Sequence, residues 1–213
     1  MTTTMAKQVS DQDGPTPEQV RRGRRTAMLL FALGFGPMIF ATIMFYTGWL
    51  NPAGHTNNGT LIQPPVPVAN FHLETASGQP LAERFGPDQS KARWMLMVVA
   101  ADCDSKCEQL LYLTRQVNIA LGKNANRVAR AAALGSLPAD LEARWSDEYR
   151  LMERLTPVEG RSPAWPAALD LESEPSILLI DPFGNAMMRY GADNTGKEML
   201  KDLKHLLKLS QIG

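Results

Sequence analysis

The run Trp94-Met-Leu-Met-Val-Val-Ala-Ala101, followed at once by Asp102-Cys103-Asp104-Ser105-Lys106-Cys107, decides the fold of this chain. An apolar run of this length is too short to cross a membrane and is typical of a central β-strand buried on both faces. A helix is predicted directly after the strand, because apolar residues recur at helical spacing up to Leu121 and Gly122 can end the element. The two cysteines therefore lie at a predicted strand-to-helix junction.

Strand and helix patterns alternate along the rest of the C-terminal part of the chain. The sequence predicts a half-buried strand over 68–74 followed by a turn at Ser77-Gly78, a strand over 128–134, a helix over 137–151 opened by Pro138, a buried strand over 176–180, a turn over 181–184, an edge strand over 186–190 and a final helix. Thr195 and Glu198 form a capping box at the start of that final helix. Strands that alternate with helices predict an α/β domain, in which helices cover both faces of a central sheet.

The N-terminal part contains an apolar segment long enough to cross a membrane. Residues 27–50 carry no charged side chain, and as a helix they would be about 36 Å long. A cleaved signal peptide is the alternative, but its apolar core is typically about 7–15 residues long and an Ala-x-Ala-like site should follow it. Asn51-Pro52-Ala53-Gly54-His55 offers no such site. We therefore expect one uncleaved transmembrane helix.

Charge and composition around this segment predict its orientation and the remaining boundaries. Arginines cluster within residues 21–25, whereas no lysine or arginine follows the helix until Arg84, so the N-terminus is expected to be cytoplasmic. Residues 1–26 are then a disordered cytoplasmic tail, because large apolar side chains are almost absent from most of this stretch. Residues 51–67 are rich in Asn, Gly and Pro and are expected to form a linker, and residues 68–213 form the domain.

Length and net charge limit the classes of function. The chain has 213 residues, which suffice for an anchor and one domain of ordinary size but not for a second full domain. Lys plus Arg and Asp plus Glu each number 22, so no overall field would attract a nucleic acid. We therefore expect a membrane-bound protein without a nucleic-acid partner.

Cys103 and Cys107 are the only cysteines of the chain and carry its main chemical signal. A spacing of four places both side chains on one helical face, close enough to form a disulfide or to hold one soft metal ion between two thiolates. The helix N-terminus and Lys106 favour a thiolate, whereas Asp102 and Asp104 oppose one. An inert structural disulfide is the alternative, although so short a loop would stabilise the fold little. Zinc is disfavoured, since two cysteines without a nearby histidine fill only half of a tetrahedral site.

At these residues the sequence resembles the thioredoxin-like proteins, and in particular the Sco/SenC family of cytochrome oxidase assembly and copper-delivery proteins. The similarity covers Phe71 to Leu209. It rests on Phe71-His72-Leu73 with Gly78-Gln79-Pro80-Leu81, on the apolar strand with Cys103-x-x-x-Cys107, on Leu121-Gly122-Lys123 before Arg127-Val128, and on Leu179-Ile180-Asp181-Pro182-Phe183-Gly184.

The resemblance implies a thioredoxin-like domain and a membrane-tethered thiol–disulfide or copper-handling factor that assists assembly of a respiratory (cytochrome c) oxidase. A thiol–disulfide oxidoreductase activity would use Cys103 as the attacking nucleophile and Cys107 as the resolving partner. Pro175 stands where thioredoxins place a cis-proline facing the redox cysteines, and a trans proline at a strand entry is the alternative. No cofactor is required, and Cu(I) is the metal that the two thiolates would hold. The expected partner is an oxidase subunit or another membrane or periplasmic protein, and the expected location is the bacterial inner membrane with the domain in the periplasm.

The sequence departs from the Sco pattern at two positions. The family brings a histidine to its copper from a position shortly before the aspartate equivalent to Asp181, and Ser173 occupies that position here. Asp104 replaces the usual proline after the first cysteine. These departures favour the alternative function, a non-catalytic membrane assembly factor that uses a thioredoxin-like fold as a binding module. A peroxidase-like enzyme ranks last, because the junction lacks a Thr-x-x-Cys arrangement. The histidines of the chain are expected to be solvated surface residues: His55, His72 and His205.

Overall fold

The computed structural model describes residues 16–48, 57–86, 93–159, 165 and 174–210. The chain divides into two units, Met1–His55 and Thr56–Gly213. The predicted tail up to residue 15, the predicted linker from 51 to 56, Ser173 and His55 lie outside the described residues.

The N-terminal unit contains one long helix, α1 (Pro17–Thr47). Helix α1 thus begins ahead of the predicted membrane-spanning segment of residues 27–50 and includes residues 17–26 of the predicted tail. The cause is a capping box, in which the Thr16 side chain accepts from the Gln19 amide while the Gln19 side chain accepts from the Thr16 amide. The helix ends at Thr47, and the next residue, Gly48, caps it in the left-handed conformation that favours glycine.

Helix α1 is long and apolar enough to span a membrane, judged by its length and composition. Its uncharged part, residues 26–47, is about 33 Å long, close to the thickness of a hydrocarbon core. The hydroxyls of Thr26, Thr42 and Thr47 each donate to the carbonyl four residues earlier, so these polar groups are satisfied inside the helix.

The C-terminal unit is built on a seven-stranded mixed sheet with the order β1-β7-β6-β3-β4-β5-β2. β3, β4 and β5 are parallel to one another, and the other neighbouring pairs are antiparallel. The strands are β1 (Thr60–Pro67), β2 (Leu73–Thr75), β3 (Trp94–Asp102), β4 (Val128–Ser136), β5 (Met152–Pro157), β6 (Ser176–Ile180) and β7 (Asn185–Tyr190). The helices of this unit are α2 (Ser105–Ala120), α3 (Ala139–Glu148) and α4 (Gly196–Leu209).

The central strand β3 contributes to a hydrophobic core on each face of the sheet. Leu96 and Val98 pack in the core beneath α2, α3 and α4, and the alternate residues Met95 and Met97 pack in the core on the other face. Two 3-10 helices, Val68–Phe71 and Leu81–Arg84, contribute Phe71 and Leu81 to that second core. The prediction of a central sheet with helices on both faces is confirmed.

Three strand predictions require correction. Residues 60–67 of the predicted linker form β1, which pairs with β7, so β7 is not the edge strand that the sequence indicated. The predicted strand over 68–74 is mostly wrong, because Val68–Phe71 is a 3-10 helix and His72 adopts a left-handed conformation with φ of 50°. β5 was not predicted at all, since its two buried residues, Met152 and Leu155, do not alternate.

A buried carboxylate connects α4 to the start of the C-terminal unit. Asp202 is 5% exposed and accepts hydrogen bonds from the amides of Asn58 and Gly59, from the Asn58 side chain and from the Tyr190 hydroxyl. Burial and the Asp202 carboxylate raise the pKa of Tyr190, so the phenol remains a donor at neutral pH. The carboxylate is satisfied by four donors, which is the condition under which a buried charge is tolerated.

Candidate functional site

The two cysteines form a disulfide where β3 passes into α2. Their Cα atoms are 5.0 Å apart. Cys103 is 4% exposed and Cys107 is fully buried, and both sulfurs belong to the core beneath the helices. Cys103 is thus the more exposed of the two by a small margin.

Asp104 marks the start of helix α2 between the two cysteines. It is the N-cap of α2, and its carboxylate accepts a hydrogen bond of 3.0 Å from the Cys107 amide. Cys107 therefore lies in the first turn of the helix, whereas Cys103 precedes it, so the expectation that both occupy one helical face is wrong. The Cys103 amide instead donates to the Ser136 carbonyl at 3.1 Å, which continues the pairing of β3 with β4.

The charged groups around the disulfide are already paired with groups other than the sulfurs. The Asp102 carboxylate accepts a hydrogen bond of 2.6 Å from the Ser136 hydroxyl. Lys106 Nζ lies 3.1 Å from Glu174, and this carboxylate raises the pKa of Lys106. Because Asp104 occupies the helix N-terminus and Lys106 pairs with Glu174, the local electrostatics give little support to a thiolate.

Gly135 allows a close approach between the ends of β3 and β4. A Cβ atom at this position would overlap the carbonyl oxygen of Ala101, two residues before Cys103. Any larger residue must therefore push the two strand ends apart, which would move the backbone that carries Cys103.

Pro175 lies at the same edge of the sheet as the cysteines. It directly precedes β6, whose first residue Ser176 pairs with Val99 near the end of β3, and the ion pair of Glu174 with Lys106 joins this segment to α2. Within the described residues the cis peptide bond is Gln63–Pro64, so the Glu174–Pro175 bond is trans. The trans alternative left open by the sequence is therefore the observed one.

The cysteine pair has no further metal-ligating partners in the part of the chain that the structure describes. No group of three or more His, Cys, Asp or Glu side chains there could hold a metal ion. His205 is exposed on α4, and His72 is half-buried beside β2, which lies three strands away from β3. Two thiolates alone still suit Cu(I), which accepts low coordination, once the disulfide is reduced.

Two residues that position the disulfide, Gly135 and Ser136, were not predicted from the sequence. Both come from the end of β4 and reach Ala101, Asp102 and Cys103 only through the β3–β4 register. Local sequence could not reveal them, because a glycine and a serine after a strand also occur in ordinary turns.

The sheet order, the helical face and the cysteine pair at the β3–α2 junction define a thioredoxin-like protein with an N-terminal apolar helix. Residues 94–210 match the family model described as the transmembrane-like, thioredoxin-like, C-terminal domain, and residues 17–48 match the transmembrane-like N-terminal domain. The chain belongs to this transmembrane-like, thioredoxin-like family.

Solved structures similar to this chain include several Sco proteins. Yeast Sco1 shares 17% identity at a TM-score of 0.49, with 74% of this chain and 100% of that chain covered. ScoI of Arabidopsis thaliana, solved with copper bound, shares 10% identity at a TM-score of 0.46 and covers 68% of this chain and 98% of that one. A thiol–disulfide oxidoreductase from Bacteroides fragilis shares 18% sequence identity at a TM-score of 0.43, with 70% of this chain and 98% of that chain covered. No curated protein matches the chain.

Proposed function

We propose that this protein is a membrane-tethered thiol–disulfide or copper-handling factor that assists assembly of a respiratory (cytochrome c) oxidase. The observation that carries the proposal is the Cys103–Cys107 disulfide at the β3–α2 junction of a thioredoxin-like domain. Support for the oxidase as the target comes from the resemblance of the quoted sequence segments to the Sco/SenC family. The partner is then an oxidase subunit or another membrane or periplasmic protein.

The proposed thiol exchange proceeds in two steps. In the reduced protein the Cys103 thiolate attacks one sulfur of a partner disulfide, which forms a mixed disulfide and releases one partner thiolate. Cys107 then loses its proton to solvent and attacks the Cys103 sulfur, which forms the Cys103–Cys107 disulfide and releases the second partner thiolate. Both partner thiolates take up protons, the partner gains two electrons and this chain loses two. The slightly greater exposure of Cys103 supports its role as the attacking sulfur.

Copper handling would use the same two sulfurs after reduction. Cys103 and Cys107 would supply a soft two-thiolate site for Cu(I), and no third ligand from the described residues is required for that ion. Cu(II) prefers nitrogen and oxygen ligands in a tetragonal arrangement, which these two residues do not provide.

A second candidate is a non-catalytic assembly factor that uses the domain as a binding module. The burial of both sulfurs favours it, and so does the Asp104 carboxylate on the Cys107 amide, because buried thiols beside carboxylates react slowly. In this alternative the disulfide stays oxidised and has only a structural role, in which it holds the end of β3 to the start of α2.

Alkylation of the full chain separates the two candidates. A redox pair should accept two mass tags only after reductant in oxidised samples, and cells should contain a fraction of protein whose thiols label directly after acid trapping. A Cys103→Ser variant should accumulate a mixed disulfide through Cys107 less readily than a Cys107→Ser variant does through Cys103. If the cysteines are labelled only after reductant under every growth condition, the proposed thiol exchange is contradicted. The binding module is then the remaining candidate.

Chelator competition on the reduced protein tests the copper component. We predict that the wild-type chain binds Cu(I) and that Cys103→Ser with Cys107→Ser abolishes this binding, while Cu(II) is held weakly or not at all. Lys197→Gln, at an exposed position on α4, serves as a control that should bind as wild type does. Tight, cysteine-dependent Cu(II) binding would show that another group supplies the missing nitrogen, and loss of both ions would leave thiol exchange or scaffolding.

A further inference from the structure

A cavity lies at the end of the sheet opposite the cysteines. It has a volume of about 350 Å³, and its lining includes Arg84, Arg93, Arg130, Asn118 and Glu153. Arg93 immediately precedes β3 and Arg130 lies near the start of β4, whereas the disulfide follows the other end of β3. Since a strand rises about 3.3 Å per residue, roughly 27 Å of β3 separates the two sites.

Arg130 is the feature that ordinary packing does not explain. Its side chain is only 8% exposed, and its position on β4 lies between Val128 and Ala132, both of which belong to the core beneath the helices. Its Nη1 atom is buried and has no hydrogen-bond partner. A buried guanidinium nitrogen without a hydrogen-bond partner is costly, so Nη1 requires an acceptor that the described residues do not supply.

Two arginines that line the site, Arg93 and Arg130, form no ion pair with a described residue. Glu153 is the one acid among the described lining residues, and it forms an ion pair with Arg84. With the described groups, Arg93 makes one long contact, in which its Nη1 atom lies 3.4 Å from the Asn126 carbonyl oxygen. Asn118 donates from its amide to the carbonyls of Ala125 and Val128.

The helix above Arg130 adds positive charge. Burial and the neighbouring Arg115 on α2 lower the pKa of Arg130, which indicates that no anion among the described groups stabilises its charge. Arginine forks match the geometry of oxyanions, and two arginines match the charge of a phosphate dianion better than that of a single carboxylate.

We infer that this cavity binds a phosphate group, which accepts hydrogen bonds from Arg130 at its buried end and from Arg93 at its rim. The group is either free phosphate or the phosphomonoester headgroup of an anionic lipid, because both present the same oxygens. The inference does not depend on the cysteines or on the proposed thiol chemistry.

Thermal denaturation of the oxidised full chain in neutral detergent tests the inference. Inorganic phosphate at about a hundred times its Kd should raise the Tm by roughly 5 °C over sodium chloride or acetate of the same ionic strength. If only micelles doped with phosphatidic acid produce the shift, the lipid headgroup is the ligand. If neither phosphate source shifts the Tm, the inference is overturned.

Variants separate binding from folding. Arg130→Gln should abolish the phosphate-dependent shift without lowering the Tm in phosphate-free buffer, because it removes an unpaired buried charge. Arg93→Gln, at the exposed rim, should weaken phosphate binding about tenfold and leave the phosphate-free Tm unchanged. Lys197→Gln removes the same charge outside the cavity and should retain the full shift. A shift that persists in Arg130→Gln contradicts the assignment, and if that variant does not fold, Arg93→Glu must abolish the shift for the inference to stand.

Discussion

Asp104 has two opposed effects on the cysteine pair. Its carboxylate caps α2 through the Cys107 amide and so fixes the loop between the cysteines. The same negative charge lies between the two cysteines in the sequence and opposes ionisation of their thiols once the disulfide is reduced. A proline at this position, as in the Sco family, would provide neither the cap nor the charge.

Substitution of Asp104 should separate these two effects. We predict that Asp104→Asn retains the cap and leaves the Tm nearly unchanged, whereas Asp104→Ala loses about 1 kcal/mol of stability. Both variants should be alkylated several-fold faster than wild type at neutral pH after reduction, because a negative charge beside the thiols is gone. Asp147→Asn, at an exposed position on α3, is the matched control. Equal alkylation rates in Asp104→Asn and wild type would show that the carboxylate does not restrain the thiols.

At the scale of elements, the junction depends on how closely β3 and β4 approach. Gly135→Ala should destabilise the protein by about 1–3 kcal/mol, because the added methyl group overlaps the Ala101 carbonyl and must displace backbone. The displaced strand end should also expose Cys103 and accelerate reduction of the disulfide by a small thiol.

Thermal denaturation and the time course of reduction measure these two effects on the full chain. Gly191→Ala is the control, because nothing lies within 4 Å of a Cβ at that position, and its stability should stay within about 0.5 kcal/mol of wild type. If Gly135→Ala melts and is reduced as wild type does, the close approach does not hold the junction in place.

The elements that sequence predicted well are those whose burial is periodic or continuous. Continuous apolar runs predict the buried strands β3 and β6. Apolar residues at helical spacing, with residues that can start or end a helix, predict α2 and α4. β1 contains Pro64, Pro65 and Pro67 and was taken for a linker, yet prolines are tolerated in an edge strand because one side of its backbone needs no ladder partner.

The reactive residues of the candidate site were predictable from the sequence, but the residues that position them were not. Cys103 and Cys107 were found from their spacing and their place after the buried strand. Gly135, Ser136 and Arg130, whose Nη1 atom has no hydrogen-bond partner among the described residues, all lie on β4. Their roles depend on which residues the strand register places beside them. Such long-range pairings have no local sequence signature.

For the whole molecule, one buried cluster joins distant parts of the C-terminal unit. Asp202 on α4 accepts from Asn58, 144 positions earlier in the chain, and from Tyr190 on β7. Asn58 and Gly59, which directly precede β1 and belong to the predicted linker, are therefore hydrogen-bonded to the domain through the Asp202 carboxylate. The thioredoxin-like unit consequently starts by residue 57, ahead of the predicted boundary at 68.

The distribution of charge along α1 predicts its orientation, because the helix carries four arginines between residues 21 and 25 and no basic residue in its last turn. Lysine and arginine flanking a membrane helix are retained on the cytoplasmic side. We therefore propose that the N-terminus is cytoplasmic and that the C-terminal unit lies in the periplasm, where an oxidising environment maintains the disulfide.

Reporter fusions after Gly213 test this topology. Alkaline phosphatase at that position should be active, because it forms its own disulfides only outside the cytoplasm, and a reporter that works only in the cytoplasm should be inactive there. Deletion of residues 17–48 should reverse both activities, since the chain would then lack its membrane helix. Substitution of Arg21, Arg22, Arg24 and Arg25 by Gln should lower the phosphatase activity by weakening the charge bias, whereas Lys201, Lys204 and Lys208 changed to Gln on α4 should not. An inactive phosphatase with an active cytoplasmic reporter in the intact chain would place the C-terminal unit on the cytoplasmic side and rule out a periplasmic oxidase partner.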